Sequence, residues 1–222
     1  MDMDGTITRF NLDYMTARRI SLKELEKMNL RTPDMTEQVP LYLMLKKVKD
    51  NVDPETFAKV RGNFFKFFEE MEVKAAREAT LYPGATETLR KLRDRGLKIG
   101  IVTNNGRVGT ELTLKRCQLD GFFDAVVTRD DCEEMKPEAG PVRKVLTEMR
   151  VAPEEAIFVG DSVMDIISAR ATGLPSVAVA TGPFSSDRLL KAEPDYLLGS
   201  VNDLPLLVKE LDAQRIERPS GK

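Results

Sequence analysis

The sequence predicts an α/β fold: a parallel sheet with helices on both faces, and a helical bundle inserted near the front of the chain. Three observations carry this reading. From Tyr82 onward, short apolar runs alternate with amphipathic stretches, the pattern of successive strand–helix units. Residues 11–80 keep helical spacing with no β-rich interruption. The stretch densest in chemistry, Met1-Asp2-Met3-Asp4-Gly5-Thr6, comes first and reads as the end of a strand.

In that opening stretch Asp2 and Asp4 are two residues apart, so their side chains leave an extended chain on the same side. Gly5 suits a sharp departure from the strand. Two carboxylates held so close repel unless one is protonated or a cation sits between them. A divalent metal is the natural occupant, and hard oxygen donors suit magnesium. A parallel sheet should present such residues at the C-terminal end of a central strand, yet only Met1 precedes Asp2. The first core strand is therefore expected to be truncated. A late start, a lost N-terminal segment or an unusual way of forming the strand would each account for it, and a lost segment is favoured.

The helical region follows. Met15, Leu22, Leu25 and Met28 recur at helical spacing among Arg18, Arg19, Lys23, Glu24 and Glu26. Pro33 and Pro40 punctuate the chain, and a second helix starts over 41–48. Asp53-Pro54-Glu55 has the form of a helix start, with aspartate as cap and proline in the first turn. That third helix carries Phe57, Val60, Phe64, Phe65, Phe67, Phe68 and Met71 towards Ala79.

Tyr82-Pro83-Gly84 marks the change of character. Helices are predicted over 86–95, 108–119, 137–150, 164–172 and 204–213, and strands over 97–103, 125–128, 156–160, 176–180 and 196–198. Residues 216–222 read as a flexible tail. The expected division is a discontinuous core, 1–11 with 81–215, and a helical insert, 12–80.

At 222 residues, 41% hydrophobic and 32% charged, the chain has the composition of one large globular domain or of one domain carrying a smaller insert. A net charge of -2 gives no electrostatic case for nucleic acid or an anionic membrane. No apolar run approaches the roughly 20 residues of a bilayer span, and no secretion signal opens the chain. Cys117 and Cys132 form no CxxC pair and read as reduced thiols in a cytoplasmic protein. With no histidine at all, acid–base work falls to carboxylates, lysine or tyrosine, and Ser-His catalysis is excluded.

Three later features share the placement of the first. Thr103, followed by Asn104, ends an apolar strand before a polar loop and a helix, where a hydroxyl and backbone N–H groups can meet an oxyanion; Thr103 or Asn105 could equally cap the helix. Lys136-Pro137 precedes a predicted helix, a position a solvated surface lysine would also suit. Gly160-Asp161-Ser162-Val163-Met164-Asp165 follows the strand AIFVG, with Asp161 and Asp165 one helical turn apart; Asp161 or Ser162 could simply cap the next helix.

Taken in order, the four features resemble the motifs of the haloacid dehalogenase superfamily of phosphotransferases, in its helical-cap subgroup. GLPSVAVATG at 173–182 and Glu193-Pro194-Asp195-Tyr196 look like members of the phosphoglycolate-phosphatase type. The resemblance implies a Rossmann-like core with the 12–80 insert as a cap. It implies a magnesium-dependent phosphatase acting on a small phosphorylated metabolite, as a monomer or homodimer, with Asp2 as nucleophile and Asp4 as general acid and base. Thr103, Asn104 and Lys136 would bind phosphate, and Asp2, Asp4 (through its backbone carbonyl), Asp161 and Asp165 would hold Mg2+. Dehalogenation is disfavoured, because the superfamily's dehalogenases lack the second aspartate and Asp4 is present. A phosphomutase, which shares the catalytic set, and a non-catalytic binding protein remain the alternatives.

Overall fold

The computed structural model describes residues 1–9 and 11–217, with side chains to Gln214. Its strands are short and parallel: β1 Gly100–Val102, β2 Ala125–Val127, β3 Phe158–Gly160, β4 Ser176–Val179 and β5 Tyr196–Leu198. β1 pairs with β2 so that Ile101 faces Val126. β3 pairs with β4, which pairs with β5.

Residues 1–3 lie between these two pieces. Gly100 O accepts from the Met1 nitrogen at 2.7 Å, Val102 N donates to Met1 O at 2.9 Å, and Asp2 N donates to Val159 O at 2.8 Å. The sheet therefore reads β2, β1, residues 1–3, β3, β4, β5 in space. The place expected to be empty is filled by a short segment bonded on both sides, which brings Asp2 out at the C-terminal edge of a central strand position.

Strand alternation puts the core on both faces. Ile101 and Val159 join one apolar cluster with Met3, Leu89, Leu114 and Leu204. Their neighbours Val102 and Phe158 join another with Val142, Val145 and Ala169. Helices α4 Ala85–Asp94, α5 Arg107–Arg116 and α9 Leu204–Glu217 supply the first cluster; α6 Gly140–Met149 and α7 Val163–Thr172 supply the second.

Near the front, residues 7–9 and 80–82 run side by side: Arg9 N donates to Thr80 O at 2.8 Å and Tyr82 N to Ile7 O at 3.0 Å. The chain between them leaves and returns at one point. It forms α1 Tyr14–Lys27, α2 Leu41–Asn51 and α3 Pro54–Ala76. Asp13 caps α1 by accepting from Thr16 N, and Asp53 caps α3 by accepting from Thr56 N, with Pro54 in the first turn as the sequence predicts. These helices bury a cluster of their own, including Leu25, Met44, Val60, Phe64 and Phe68.

Several boundaries differ from the prediction. α6 begins at Gly140 rather than Pro137, because Gly140 N donates to Glu134 Oε2 and closes a loop over 134–139; Pro141 takes the first-turn place assigned to Pro137. β1 and β3 start later than predicted, and β2 and β4 end earlier; before β1, Ile99 N bonds the Asp124 carboxylate instead of a neighbouring strand. A short helix, α8 Ser186–Leu190, went unpredicted. α9 runs on to Glu217, past the predicted end at 213 and into the predicted tail, since no glycine or proline interrupts 206–217. The rest of that tail lies outside the described residues. No helix among the described residues is long and apolar enough to cross a membrane.

Candidate active site

The residues singled out in the sequence meet at the C-terminal edge of the sheet. Asp2 and Asp4 follow the central segment, Thr103 follows β1, and Asp161 follows β3. They line one cavity of about 370 Å³ with Lys136 and Asn104. Residues from the inserted helices, Tyr14, Met15 and Arg18, line it too. Met15, one of the apolar residues at helical spacing on α1, is 40% exposed and turns towards this cavity.

Carboxylate oxygens of Asp2, Asp161 and Asp165 lie within 4.8 Å of one another, all three residues buried. Lys136 Nζ stands 2.6 Å from Asp2 Oδ1 and 2.7 Å from Asp165 Oδ1. Burial works against the lysine's charge, but Asp165 and Asp2 outweigh it and hold its pKa above the ordinary lysine range. Burial pushes the Asp2 carboxyl up to about 6, against the pull of Lys136. Burial, with Asp2 and Asp165 nearby, pushes Asp161 up to about 9. One lysine does not balance three carboxylates, and the surplus is negative.

Local bonds hold each acid in place. Thr6 Oγ1 donates to Asp161 Oδ1 at 3.0 Å. Ser162 caps α7 by accepting from Asp165 N, and its own N–H and hydroxyl donate to Asp165 Oδ2. Gly5 sits at φ 86°, and a Cβ there would lie 2.3 Å from Asp161 Oδ2, so turn and close approach both require glycine.

Asp4 stands apart from this trio. Its two oxygens accept from Thr8 Oγ1 and Asn105 Nδ2, each at 2.6 Å. Burial raises its pKa, and those two bonds oppose the rise.

Thr103 Oγ1 accepts from Asn105 N at 3.1 Å, which leaves its hydrogen aimed elsewhere. The Asn104 amide nitrogen donates to Lys136 O at 3.0 Å and its oxygen accepts from Lys136 N at 2.9 Å, so the side chain braces the lysine at the cavity it also lines.

Sequence reasoning missed four contributors. Thr8 and Asn105 hold Asp4. Glu72, on α3, accepts from Gly106 N at 2.9 Å and pairs with Arg129, which follows β2. Nothing in the local sequence separates Glu72 from Glu69 and Glu70 beside it; its signal is burial, which appears only in three dimensions.

Comparison with known proteins agrees with this geometry. A family model described as "Haloacid dehalogenase-like hydrolase" matches residues 1–179. "Pyrophosphatase PpaX" of Bacillus anthracis is 37% identical over 131 residues, 59% of this chain and 61% of that one, so the chain spans about three fifths of the length of the curated relatives it matches. Among solved structures, a hydrolase from Pseudomonas syringae covers 95% of this chain and 96% of its own at TM-score 0.69 and 22% identity. "A predicted phosphatase from Clostridium acetobutylicum" covers 94% and 96% at TM-score 0.67 and 25% identity. The structural likenesses show the fold. With the family match running across the core and the four acidic and basic positions gathered at one sheet edge, the chain belongs to the haloacid dehalogenase-like hydrolase family.

Proposed function

We propose that the protein is a magnesium-dependent phosphatase that hydrolyses a small phosphate monoester through an aspartyl-phosphate intermediate. The observation that carries this is the contact of Lys136 Nζ with both Asp2 and Asp165, beside Asp161, in one cavity. The names of the relatives support phosphorus chemistry, and the two free thiols suit a cytoplasmic location.

The donor set fits a hard divalent cation: buried oxygens, close together, with surplus negative charge. Asp2, Asp161, Asp165 and the backbone carbonyl of Asp4 would hold Mg2+, which when bound offsets charge on the phosphate. Lys136 adds a positive charge beside the nucleophile, and this matters because an anion attacking an anion is otherwise repelled. An Asp2 oxygen attacks phosphorus in line; the Asp2 O–P bond forms as the bond to the leaving oxygen breaks. Asp4, protonated at this stage, gives its proton to that oxygen. It then takes a proton from the water that attacks phosphorus and releases Asp2. Thr103 and the loop after it hold the non-bridging oxygens. The helices α1–α3 act as a cap that excludes water and selects the ester.

The test is phosphate release from a panel of small esters, with Mg2+ and with a chelator; release only with Mg2+ supports the reading, and none on any ester contradicts it. A thermal measurement checks the metal independently. Asp161 goes from 3.8 when unfolded to about 9 in the cation-free fold, so the folded form holds a proton the unfolded chain has lost. The cation-free protein therefore loses stability as pH rises through that window. Mg2+ should raise Tm more at pH 8 than at pH 5.5, where it must displace protons. A pH-independent Tm, with or without Mg2+, would contradict the assignment.

A further inference from the structure

On sequence alone Arg18, Arg19 and Lys23 are three cations on one helix that read as solvated surface charges, though each could meet an anionic group. The structure separates them. Arg19 is exposed, with Nε 3.1 Å from Glu37 Oε2. Lys23 is exposed. Only Arg18 turns inward and lines the cavity that holds Asp2, Asp4 and Lys136.

Arg18 is incompletely satisfied there. One terminal nitrogen donates to the backbone oxygen of Glu37 at 3.1 Å. Its Nε is buried with no hydrogen-bond partner, and no carboxylate among the described residues pairs with it. A guanidinium offers a planar fork of donors that suits a carboxylate or phosphate held by two bonds. A half-buried arginine with a spare buried donor is a site built for an anion that arrives from outside.

A second cation stands nearby on the core side. Arg188, on α8, is exposed and lies 4.4 Å over the ring of Phe184, which lines the same cavity. Burial lowers the pKa of Arg18; the Tyr14 hydroxyl acts against this, and Arg188 adds to it. One guanidinium thus comes from the helical insert and lines the cavity, and the other comes from the core and packs on a ring that lines it. Leu12, Met15 and Pro183 line the same part of the cavity, together with Tyr14 and the Asp13 carboxylate that caps α1. A cavity of about 370 Å³ has room for a small molecule beyond its phosphoryl group.

We infer that Arg18 is a specificity-determining residue that binds a second anionic group, a carboxylate or a second phosphate, on the leaving side of the substrate. The inference rests on the phosphatase reading of the floor of the same cavity. It narrows the substrate class from phosphate esters at large to those carrying two anionic groups.

The experiment compares three substrates on the wild-type protein, Arg18→Ala and Arg18→Lys, all with Mg2+: 2-phosphoglycolate (carboxylate arm), inorganic pyrophosphate (second-phosphate arm) and p-nitrophenyl phosphate (neither). The expected result is that Arg18→Ala lowers the preference for one two-anion compound over p-nitrophenyl phosphate, as a ratio of kcat/KM, by about tenfold or more, chiefly through KM. Arg18→Lys restores part of it, because the charge returns without the fork. The arm that loses more identifies the second group. An equal loss on all three substrates would show a purely structural residue and overturn the inference, as would no loss on any. Calorimetric binding of 2-phosphoglycolate, pyrophosphate and inorganic phosphate keeps the test separate from turnover. If none of the substrates is hydrolysed, the phosphatase reading fails. The Arg18 inference then stands only if wild type binds a two-anion compound more tightly than inorganic phosphate and Arg18→Ala erases the difference; otherwise it falls.

Discussion

Asp2→Asn is expected to remove turnover, by roughly 10⁴-fold or more, while leaving the protein folded. The amide keeps the shape of the carboxylate but cannot attack phosphorus. The fold should tolerate it. Lys136 keeps Asp165 at 2.7 Å, and the change removes a carboxylate from a crowded group in which burial pushes Asp2 and Asp161 upward. Phosphate release and circular dichroism on the same sample check both halves. Full activity in this variant would remove Asp2 from the nucleophile's role.

Glu72→Ala carries the largest expected effect on stability. Glu72 and Arg129 are 5% and 3% exposed, and Arg129 also lies 4.8 Å over the ring of Phe65. Burial pushes the Glu72 carboxyl up, against the pull of Arg129, so its charge depends on that partner. Removing one member of a buried pair leaves the other uncompensated, at a cost of about 3–5 kcal/mol. For a chain of this length that is a fall of about 6–20 °C in Tm. Replacing both members with apolar residues, Glu72→Leu with Arg129→Met, should recover most of the loss. If the double variant is as unstable as the single, the pair is not what holds α3 to the core.

The same pair reaches the chemistry. Glu72 holds Gly106 N, and the preceding residue, Asn105, holds Asp4. Glu72→Gln should therefore lower kcat as well as stability, because the loop that carries Asn105 loses its anchor. An unchanged kcat would limit Glu72 to a structural role.

The chemistry of the site was legible because it sits at strand ends. Thr103 and Asp161 each follow an apolar run, and parallel strands bring such positions to one edge whatever the loops between them do; Asp2 stood out by its spacing from Asp4 instead. Helix starts marked by a proline and a capping aspartate, as at Asp53-Pro54, were also legible. Where two prolines competed, at 137 and 141, local pattern could not choose, since the deciding contact is a side chain six residues back, Glu134 to Gly140 N. The Glu72–Arg129 pair was invisible for a related reason: the residues are 57 apart in sequence, and each stands among other charges that are exposed. Arg18 could not be told from Arg19, because adjacent helical residues point about 100° apart and only packing says which direction is inward. The first strand looked absent because one residue precedes Asp2, yet residues 1–3 hydrogen-bond to the neighbours on both sides.

That acidic groups distant in sequence converge to receive a phosphoryl group on Asp2 is tested most directly by catching the group there. Wild-type protein turning over a phosphate ester with Mg2+ is quenched in acid, and its peptides are weighed. The expected result is the mass of one phosphoryl group on the peptide containing Asp2, removed by hydroxylamine and missing from Asp2→Asn. Steady phosphate release with that peptide unmodified, or with the label on another residue, would contradict the account.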